Sequence, residues 1–590
     1  MNTSNKNFPN PGLLAPWYDE AFECSFIRSC YMGTSDVPGE LAPIMSMWRH
    51  DTPVFIQADT GTGKSTFVIR ELYRHVVEHG GRLLVVSNRV ALTVQYKAEM
   101  LRLYAPKQLK AFTAYGLQHQ DHFEGLSAEF CSYQGLRAFS RKYKEGKIAP
   151  FDYVVFDEVH FLCSDSFFAE DTDWLRLNIP SVFQRAVRIY MTATPWAIQN
   201  LLAEAEECTV PLSDRILWSS GHFSRPPFGG QLGDNMLLPG RYMLAYRFPY
   251  IRRNYRIHAL PAESRAPFDS LLPELIAATP KDEKWLIFVE SKAQGMELVK
   301  RLGEGCNYLD ADHKGDSLWD EVTMNAKFPG RILVTTAVVD NGVNLKDNQL
   351  VHIVLQSTDH VQFIQELGRK RMGTSEVVHL YIPDLTARQL SLLETRNNGL
   401  LKHLSDFKED SPQYLYYKRM DLWNNGTPEL RHLFVLDNNG SLTVNRCAEQ
   451  VLLQRKLFYQ ELKTAFRVGD RHPFIRHVVC SWLGFSEEAL DDCRWHGSVM
   501  QDELDLFLKS WIGKPIVGKG EQNNFSEKYR RLRTAAYGSR KKGNNGADRI
   551  WGARIIKGDL ADLKLPYDLD IDGSIWVIQK VERQDSAGDD

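Results

Sequence analysis

The sequence has no Cys-x-x-Cys pair, although it contains nine cysteines scattered from Cys24 to Cys493. This spacing argues against a zinc site and against a disulfide framework, so a reducing compartment is favoured. Apolar runs stay short of the roughly 18 residues that cross a bilayer, and the first residues lack the regions of a signal peptide. We therefore expect a soluble, cytoplasmic protein that does not associate with a membrane.

The chain also lacks a strong net charge, because 71 basic and 74 acidic residues leave −3 over 590 residues. Any surface for a polyanion must therefore be local. Residues 514–558 contain 12 Lys and Arg against 3 acids, whereas residues 559–590 hold 3 basic and 9 acidic groups. Tyr529, Tyr537 and Trp551 interleave with the cations. Two interpretations stay open: a nucleic-acid surface that combines phosphate contacts with base stacking, or a solvated face that pairs with the acidic tail.

The most informative stretch is ADTGTGKS at 58–65, which follows an apolar, strand-like run at 54–56. Its glycines let backbone N–H groups close around phosphates at the start of a helix, although Ala58 replaces the first glycine of the phosphate-loop pattern. Lys64 supplies a point charge and Ser65 a hydroxyl ligand for Mg²⁺. The predicted cofactors are ATP and Mg²⁺, and the expected contacts are Thr60, Gly61, Thr62, Gly63, Lys64, Ser65 and Thr66.

An acidic pair makes this signal specific. The apolar run 153–156 leads directly into Asp157 and Glu158, at the carboxyl end of a predicted strand, where open α/β sheets bind ligands. Asp157 is expected to hold Mg²⁺, and Glu158 to orient and deprotonate the water that attacks the γ-phosphate. Alone, such a pair is more typical of a solvated strand end. Beside a phosphate loop, it indicates a nucleoside triphosphatase.

These motifs resemble those of the superfamily 2 DExH helicases, with a DEVH box at 157–160. The resemblance covers roughly residues 54–372 and implies two RecA-like domains, with one complete nucleotide site on the first and a second that brings arginines as a lid. Stretches similar to the flavivirus protease-helicase branch are FDEVHF at 156–161, MTATP at 191–195, FVES at 288–291 and TAVVDNGVN at 336–344.

The resemblance implies three further groups of residues. Coupling of hydrolysis to domain movement is assigned to His160, Thr192 and Thr194. Contacts from the second domain to the nucleotide are assigned to Asp340 and Gly342. Nucleic-acid contacts are assigned to Arg89, Gln134, Ser291 and Thr336, with Arg89 suited to gripping two phosphate oxygens. The alternative for Arg89 is a solvated arginine at a helix start, and the motif around Gln134 is evenly balanced between contact and no contact.

The last motif departs from the family pattern QxxGRxxR. Gln365, Gly368 and Arg369 match, but position 372 is Met and the second arginine is Arg371. If this segment opened a helix, a shift of one residue would rotate the side chain by about 100°, so Arg371 could act only with a different local backbone. A GRxR form is similar to that of origin-binding helicases of large DNA viruses. The resemblance implies catalytic roles for Gln365, Arg369 and Arg371; the alternative is a basic surface patch.

Alternating strand-like and helix-like segments predict an α/β fold with two tandem RecA-like parallel-sheet domains and an α-rich C-terminal accessory domain. Gly and Pro residues mark the expected linker between the two sheets. The expected divisions are an unassigned lead-in at 1–50, an ATP-binding domain at 51–220, a linker at 221–240, a helicase C-terminal domain at 241–390 and an accessory domain at 391–590.

We therefore expect an ATP-dependent superfamily 2 helicase or translocase that acts on nucleic acid, with DNA favoured over RNA and protein partners engaging the C-terminal domain. One alternative is a double-strand translocase or remodelling ATPase that does not unwind. A viral-type DNA-packaging ATPase is another, but it would not explain residues 365–371. An adaptor with a dead motor is disfavoured by Lys64, Asp157 and Glu158.

Overall fold

A computed structural model describes most of the chain. The described residues are 22–33, 38–88, 90–169, 171–208, 242–249, 251, 253–260, 272–273, 275–313, 316–336, 344–373, 376–420, 428–437, 440–467, 474–484, 496–537, 551–563 and 565–581. The expected linker at 221–240, the candidates Arg89, Asp340 and Gly342, and the end of the acidic tail lie outside these residues.

The first sheet has seven parallel strands in the order β1-β7-β2-β6-β5-β3-β4. Its inner strands are short apolar runs buried on both faces, as expected for a parallel sheet covered by helices. The strand bounds are β1 Phe22–Phe26, β2 Val54–Gln57, β3 Leu83–Ser87, β4 Ala128–Ser132, β5 Tyr153–Phe156, β6 Val187–Thr192 and β7 Met243–Arg247.

Helices connect and cover these strands. A continuous helical segment after β2 begins at Lys64–Thr66, passes through π-helical turns at Phe67–Leu72 and ends with Tyr73–Glu78. The other helices of this part are Val90–Tyr104, Pro106–Leu109, Ala114–Gln118, Tyr133–Lys144, Phe161–Ser164, Thr172–Val182 and Gln199–Ala205, with 3₁₀ turns at Ala42–Met47 and Pro195–Ala197.

The second sheet has six parallel strands in the order β10-β11-β9-β12-β13-β8. Two all-parallel sheets with helical crossovers confirm the predicted α/β class and the tandem RecA-like arrangement. The strands are β8 Asn254–Leu260, β9 Lys284–Phe288, β10 Cys306–Leu309, β11 Ile332–Thr335, β12 Leu350–Val354 and β13 Val377–Pro383; the helices are Lys292–Leu302, Ser317–Met324 and His360–Leu367, with a 3₁₀ turn at Ala311–His313.

Strand pairing divides the chain differently from the expected boundaries. β7 lies within the range 241–390, yet it pairs with β2 of the first sheet, and β1 from the unassigned lead-in pairs with β7. The indole N–H of Trp48 donates a 3.0 Å hydrogen bond to the Tyr246 hydroxyl inside the same core. The lead-in from Phe22 and the strand β7 therefore belong structurally to the first domain, and the second sheet begins at β8.

The accessory region contains two separate packing units. Its first unit packs buried side chains, among them Leu404, Phe434 and Leu452, into one core with the helices of the first domain. The elements of this unit are the helices Ala387–Glu409, Ser411–Met420, Pro428–Arg431 and Arg446–Arg467, the antiparallel strands β14 Phe434–Leu436 and β15 Leu442–Val444, π-helical turns at Phe474–Val479 and the helix Cys480–Trp482.

This first unit also contacts the second domain. The His360 ring, at the start of a second-domain helix, stacks between Trp196 of the first domain and Trp482 of the accessory region, with centroid distances of 4.5 Å on both sides. The Gln454 side chain donates a 2.8 Å hydrogen bond to the Trp196 carbonyl. The accessory region thus contacts both RecA-like domains around His360.

The second unit has its own apolar core, which includes Phe525, Tyr529, Leu560 and Ile578. Its sheet has the order β16-β18-β17 with antiparallel pairing, so the accessory region is not purely helical. The elements are the helices His496–Trp511, Gly518–Tyr537 and Ala553–Asp562 and the strands β16 Pro515–Val517, β17 Tyr567–Asp572 and β18 Ile575–Lys580. None of the described helices combines the length and hydropathy needed to cross a bilayer.

Candidate nucleotide site

The phosphate loop lies between β2 and the helix that begins at Lys64. Gly61 and Gly63 have φ angles of 80° and 90°, which glycine adopts without the steric cost of a side chain. The Lys64 ammonium is 7% exposed and donates a 3.0 Å hydrogen bond to the Ala58 carbonyl. A buried cation beside the first N–H groups of a helix is the chemistry of an anion site.

Residues within and behind the loop fix its shape. The Thr62 hydroxyl donates to the Asp59 carbonyl at 2.8 Å, and the Thr62 carbonyl accepts from the Met32 N–H at 2.9 Å. Thr60 is buried, whereas Ser65 and Thr66 are half-buried in the first helical turn. The lead-in segment therefore supports the loop from behind.

Asp157 follows β5 and is buried beside the loop. Its Oδ2 accepts a 2.6 Å hydrogen bond from the Tyr96 hydroxyl, which also bonds the Ser65 side chain. Burial, followed by the neighbouring Glu158 charge, raises the pKa of Asp157 to about 6. The Tyr96 hydroxyl therefore contacts both predicted Mg²⁺ ligands, Asp157 and Ser65. Both residues supply hard oxygen donors, which Mg²⁺ prefers.

Sequence reasoning did not find Tyr96. It lies in the helix Val90–Tyr104, and no local motif distinguishes it from a core aromatic. Burial and the Asp157 charge raise the pKa of Tyr96 well above its ordinary value, so the hydroxyl keeps its proton and donates a hydrogen bond to the carboxylate. Only the fold brings this side chain to the site.

Glu158 lies between Lys64 and His160. Its Oε1 is 3.4 Å from the Lys64 Nζ, and its Oε2 is 3.4 Å from the His160 Nδ1. Its φ of 51° is left-handed, an uncommon and strained conformation for a residue with a side chain. Burial opposes ionisation, but the positive charges of Lys64 and Arg369 hold the pKa of Glu158 below its ordinary value. An ionised, buried carboxylate in this place can accept a proton.

The three predicted coupling residues form a connected, buried chain. The His160 Nδ1 lies 3.1 Å from the Thr192 Oγ1, which lies 3.3 Å from the Thr194 Oγ1 and accepts from the Thr194 N–H at 3.0 Å. Burial lowers the pKa of His160 to about 4, so the imidazole is neutral near pH 7. This row of side-chain contacts starts at Glu158 and ends at the loop that carries Trp196.

The last motif does not open a helix. The helix ends at Leu367, Gly368 and Arg369 form a turn, and Lys370 makes a parallel bridge with Leu345, which donates to the Arg369 carbonyl at 2.8 Å and accepts from the Arg371 N–H at 3.0 Å. In an extended segment, residues two apart point to the same side. Arg369 and Arg371 therefore face the same way, and Lys370 turns to the Asp347 carbonyl at 2.7 Å. The local backbone therefore lets Arg371 reach the site, although the family pattern has its arginine at position 372.

Gln365 holds Arg369 in place. Its backbone and side-chain oxygens accept from the Arg369 Nε and Nη2, each at 2.7 Å, so Gln365 orients the arginine. Arg371 donates to the Asn344 side-chain oxygen, and the Asn344 amide donates to Gln95 of the first domain at 3.3 Å. Burial, followed by the charges of Arg369 and Arg253, lowers the pKa of Arg371 to about 10, which leaves it protonated near pH 7.

The second domain approaches the phosphate loop closely. A Cβ atom placed on Gly368 would lie 2.6 Å from the Thr60 Cβ, so only glycine fits there. Arg253, which sequence reasoning also missed, donates to the Thr60 carbonyl, and its Nη1 is 3.5 Å from the Asp59 Oδ2. No motif marks Arg253.

The described nucleic-acid candidates follow the carboxyl ends of their strands. Gln134 is exposed after β4, and Thr336 is half-buried after β11. Ser291 follows β9, and its hydroxyl accepts from the Gln294 N–H at 3.2 Å as the cap of the helix Lys292–Leu302. This capping bond gives Ser291 a structural role in addition to the predicted contact.

The basic stretch at 514–558 is partly buried, in contrast to its interpretation as a nucleic-acid surface. Tyr529 is fully buried, and its hydroxyl donates to the Asp559 Oδ2 at 2.9 Å. The Arg533 Nε donates to the same oxygen at 2.9 Å, and Trp551 packs against the same core. The interpretation of Tyr529 as a base-stacking residue is wrong, and Arg533 serves the core, because the fold turns this face of the helix inward. Lys519, Lys528 and Arg531 are exposed.

Two family models match the region of the two parallel sheets. Residues 30–197 match the model described as Type III restriction enzyme, res subunit, and residues 268–373 match the helicase conserved C-terminal domain. The two matches identify superfamily 2 helicase domains over the two sheets. The first match begins at residue 30, in agreement with the placement of the lead-in in the first domain. Helicase domains of this kind imply a nucleotide-hydrolysing enzyme.

Solved structures resemble the chain only distantly, and no curated protein matches it. Dbp5 of S. cerevisiae, bound to RNA and ADP BeF3, is 13% identical with a TM-score of 0.39 and aligns over 58% of this chain and 82% of its own. The DEAH/RHA helicase HrpB of Escherichia coli is 14% identical with a TM-score of 0.38, over 59% and 42% of the two chains. At these values the resemblances carry no functional assignment.

Proposed function

We propose that the chain is a DExH-type motor that couples hydrolysis of ATP to movement on, or unwinding of, nucleic acid. The observation that carries the proposal is one connected set of buried groups. It runs from Lys64 through Glu158 and His160 to Thr192 and Thr194, with Arg369 and Arg371 reaching the same loop from the second sheet. A static nucleotide-binding fold would not need this chain of contacts.

In this function, Lys64 exchanges its loop carbonyls for phosphate oxygens, and Asp157 and Ser65 hold Mg²⁺, which supplies charge neutralisation when bound. Glu158 accepts the proton of the attacking water, because its ionised carboxylate lies beside Lys64. Arg369 and Arg371 stabilise charge that develops on the transferred group. His160, Thr192 and Thr194 transmit the protonation of Glu158 to the loop that carries Trp196, where the two domains and the accessory region meet.

The nucleic acid is proposed to be DNA in preference to RNA, on the strength of the GRxR resemblance. Binding energy would come mostly from backbone phosphates, so we expect a sequence-tolerant motor. A translocase that does not unwind remains the second candidate, since both functions share the same nucleotide site.

Hydrolysis of ATP by the full chain should depend on Mg²⁺ and rise when nucleic acid is added. Phosphate release would be measured alone and with single-stranded DNA, duplex DNA or RNA of equal length, followed by strand displacement on forked substrates. Stimulation by single strands with displacement supports a helicase, whereas stimulation by duplex without displacement supports the translocase. A wild-type rate that no nucleic acid changes would contradict both.

The exposed cations of the second accessory unit provide a separate test. If Lys519, Lys528 and Arg531 contact phosphates, replacing all three by Gln should make the salt dependence of nucleic-acid binding less steep. The magnitude of the slope of log K, the binding constant, against log salt should fall by about 2 to 3, at about 0.7 to 0.9 per lost contact. A matched control replaces the exposed Lys107, Lys110 and Lys300 by Gln. An unaltered salt slope, in a variant with an unchanged melting temperature, would leave this face solvated or paired with acidic residues.

A further inference from the structure

Arg253 lies on the connector between the two sheets. This connector leaves β7 at Arg247 and enters β8 at Asn254. Phe248 is buried at its start, and the Phe248 N–H donates to the Gln57 carbonyl at 2.9 Å, where β2 ends. The connector therefore runs directly past the beginning of the phosphate loop, which explains how a residue outside every motif reaches the nucleotide site.

The Arg253 guanidinium lies on the middle of the loop. It donates to the Thr60 carbonyl, its Nη1 is 3.4 Å from the Thr60 hydroxyl, and its side chain is 11% exposed. A Cβ atom placed on Gly61 would lie 3.1 Å from the Arg253 Nη2 and 3.1 Å from the Arg371 Nη1. Two guanidinium groups thus flank the same glycine.

This arrangement concentrates positive charge. Lys64, Arg253, Arg369 and Arg371 meet here, while the nearby carboxylates are Asp59, Asp157 and Glu158. Asp157 and Glu158 are turned toward Tyr96, Lys64 and His160. Asp59 lies 3.5 Å from the Arg253 Nη1 and offsets one of the four positive charges. Like charges that share a buried position repel one another unless an anion lies between them.

We infer that Arg253 is a third arginine of the nucleotide site and contacts the terminal phosphate of ATP. The inference rests on the proposed function. The phosphates nearest the ribose lie against the N–H groups at the start of the helix, next to Gly63 and Lys64. Arg253 lies instead at Thr60 and Gly61, beside Arg371. The terminal phosphate, which ATP has and ADP lacks, is expected at this end of the loop. Because Arg253 lies on the connector, this contact links the terminal phosphate to the relative position of the two sheets.

The test compares the affinities of ADP and a non-hydrolysable ATP analogue, AMP-PNP, for the full chain with Mg²⁺. Arg253→Gln should bind ADP within about two-fold of wild type and AMP-PNP at least about ten-fold more weakly, because a charge-assisted bond to the terminal phosphate is lost. It should also lower kcat by about 10² or more. The matched control is Arg256→Gln, which changes an exposed arginine on β8.

Equal weakening of ADP and AMP-PNP would overturn the inference, because Arg253 would then only support the loop; unchanged AMP-PNP binding would overturn it as well. If Arg253→Gln does not fold, Arg253→Lys takes its place and must weaken AMP-PNP more than ADP. The proposed function fails separately, if wild type binds AMP-PNP but does not hydrolyse ATP. Normal hydrolysis by wild type without discrimination in Arg253→Gln would remove this inference alone.

Discussion

Lys64→Ala and Glu158→Gln should each reduce hydrolysis of ATP to near background. Lys64→Ala removes the buried ammonium of the phosphate loop. Glu158→Gln replaces the proton acceptor by an amide that cannot take a proton, and general-base catalysis is worth about 10² to 10⁴ in rate. Phosphate release at saturating ATP and nucleic acid measures both effects.

The two variants should differ in binding. Glu158→Gln keeps Lys64 and both predicted Mg²⁺ ligands, so it should retain ATP and hold nucleic acid in the closed state, whereas Lys64→Ala should bind ATP poorly. The controls are Lys147→Ala and Glu145→Gln, each of which disrupts an exposed ion pair with a 2.7 Å separation. Near wild-type turnover in Glu158→Gln would show that another group is the base.

Arg369→Ala and Arg371→Ala should each lower kcat far more than they weaken ATP binding, since arginine fingers contribute about 10³ to 10⁵ in rate. Arg371 lies beside Gly61 of the phosphate loop and the Arg369 charge acts on Glu158, so we expect two fingers. Single-turnover hydrolysis and equilibrium ATP binding separate the two effects. Arg388→Ala is the control, because Arg388 is exposed on the helix Ala387–Glu409.

The two arginines can fail independently. Wild-type turnover in Arg371→Ala would show that Arg371 only binds Asn344, and the second positive charge would then have to come from Arg253. A fall in ATP binding as large as the fall in kcat, for either variant, would indicate a general binding residue instead of a finger. Melting temperatures of both variants distinguish these outcomes from loss of the buried hydrogen bonds to Gln365 and Asn344.

The phosphate loop and the acidic pair could be predicted from sequence because each is a local device. A glycine pattern between a strand and a helix encodes its own backbone shape, and a carboxylate after an apolar run lies at a strand end in any parallel sheet. The shifted arginine was harder. The direction of the Arg371 side chain depends on whether the backbone at Lys370 is helical or extended, and pairing of Lys370 with Leu345, 25 residues earlier, decides this.

By itself, the sequence determined the α/β class, the two tandem RecA-like sheets and the residues proposed for nucleotide chemistry. The tertiary structure alone decided that β1 and β7 complete the first sheet, that the accessory region divides into two units, and that Tyr529 and Arg533 face a core. It also brought Tyr96 and Arg253 to the site. The reason is physical: strand partners, buried faces and interdomain contacts depend on residues distant in the chain, so no local pattern records them.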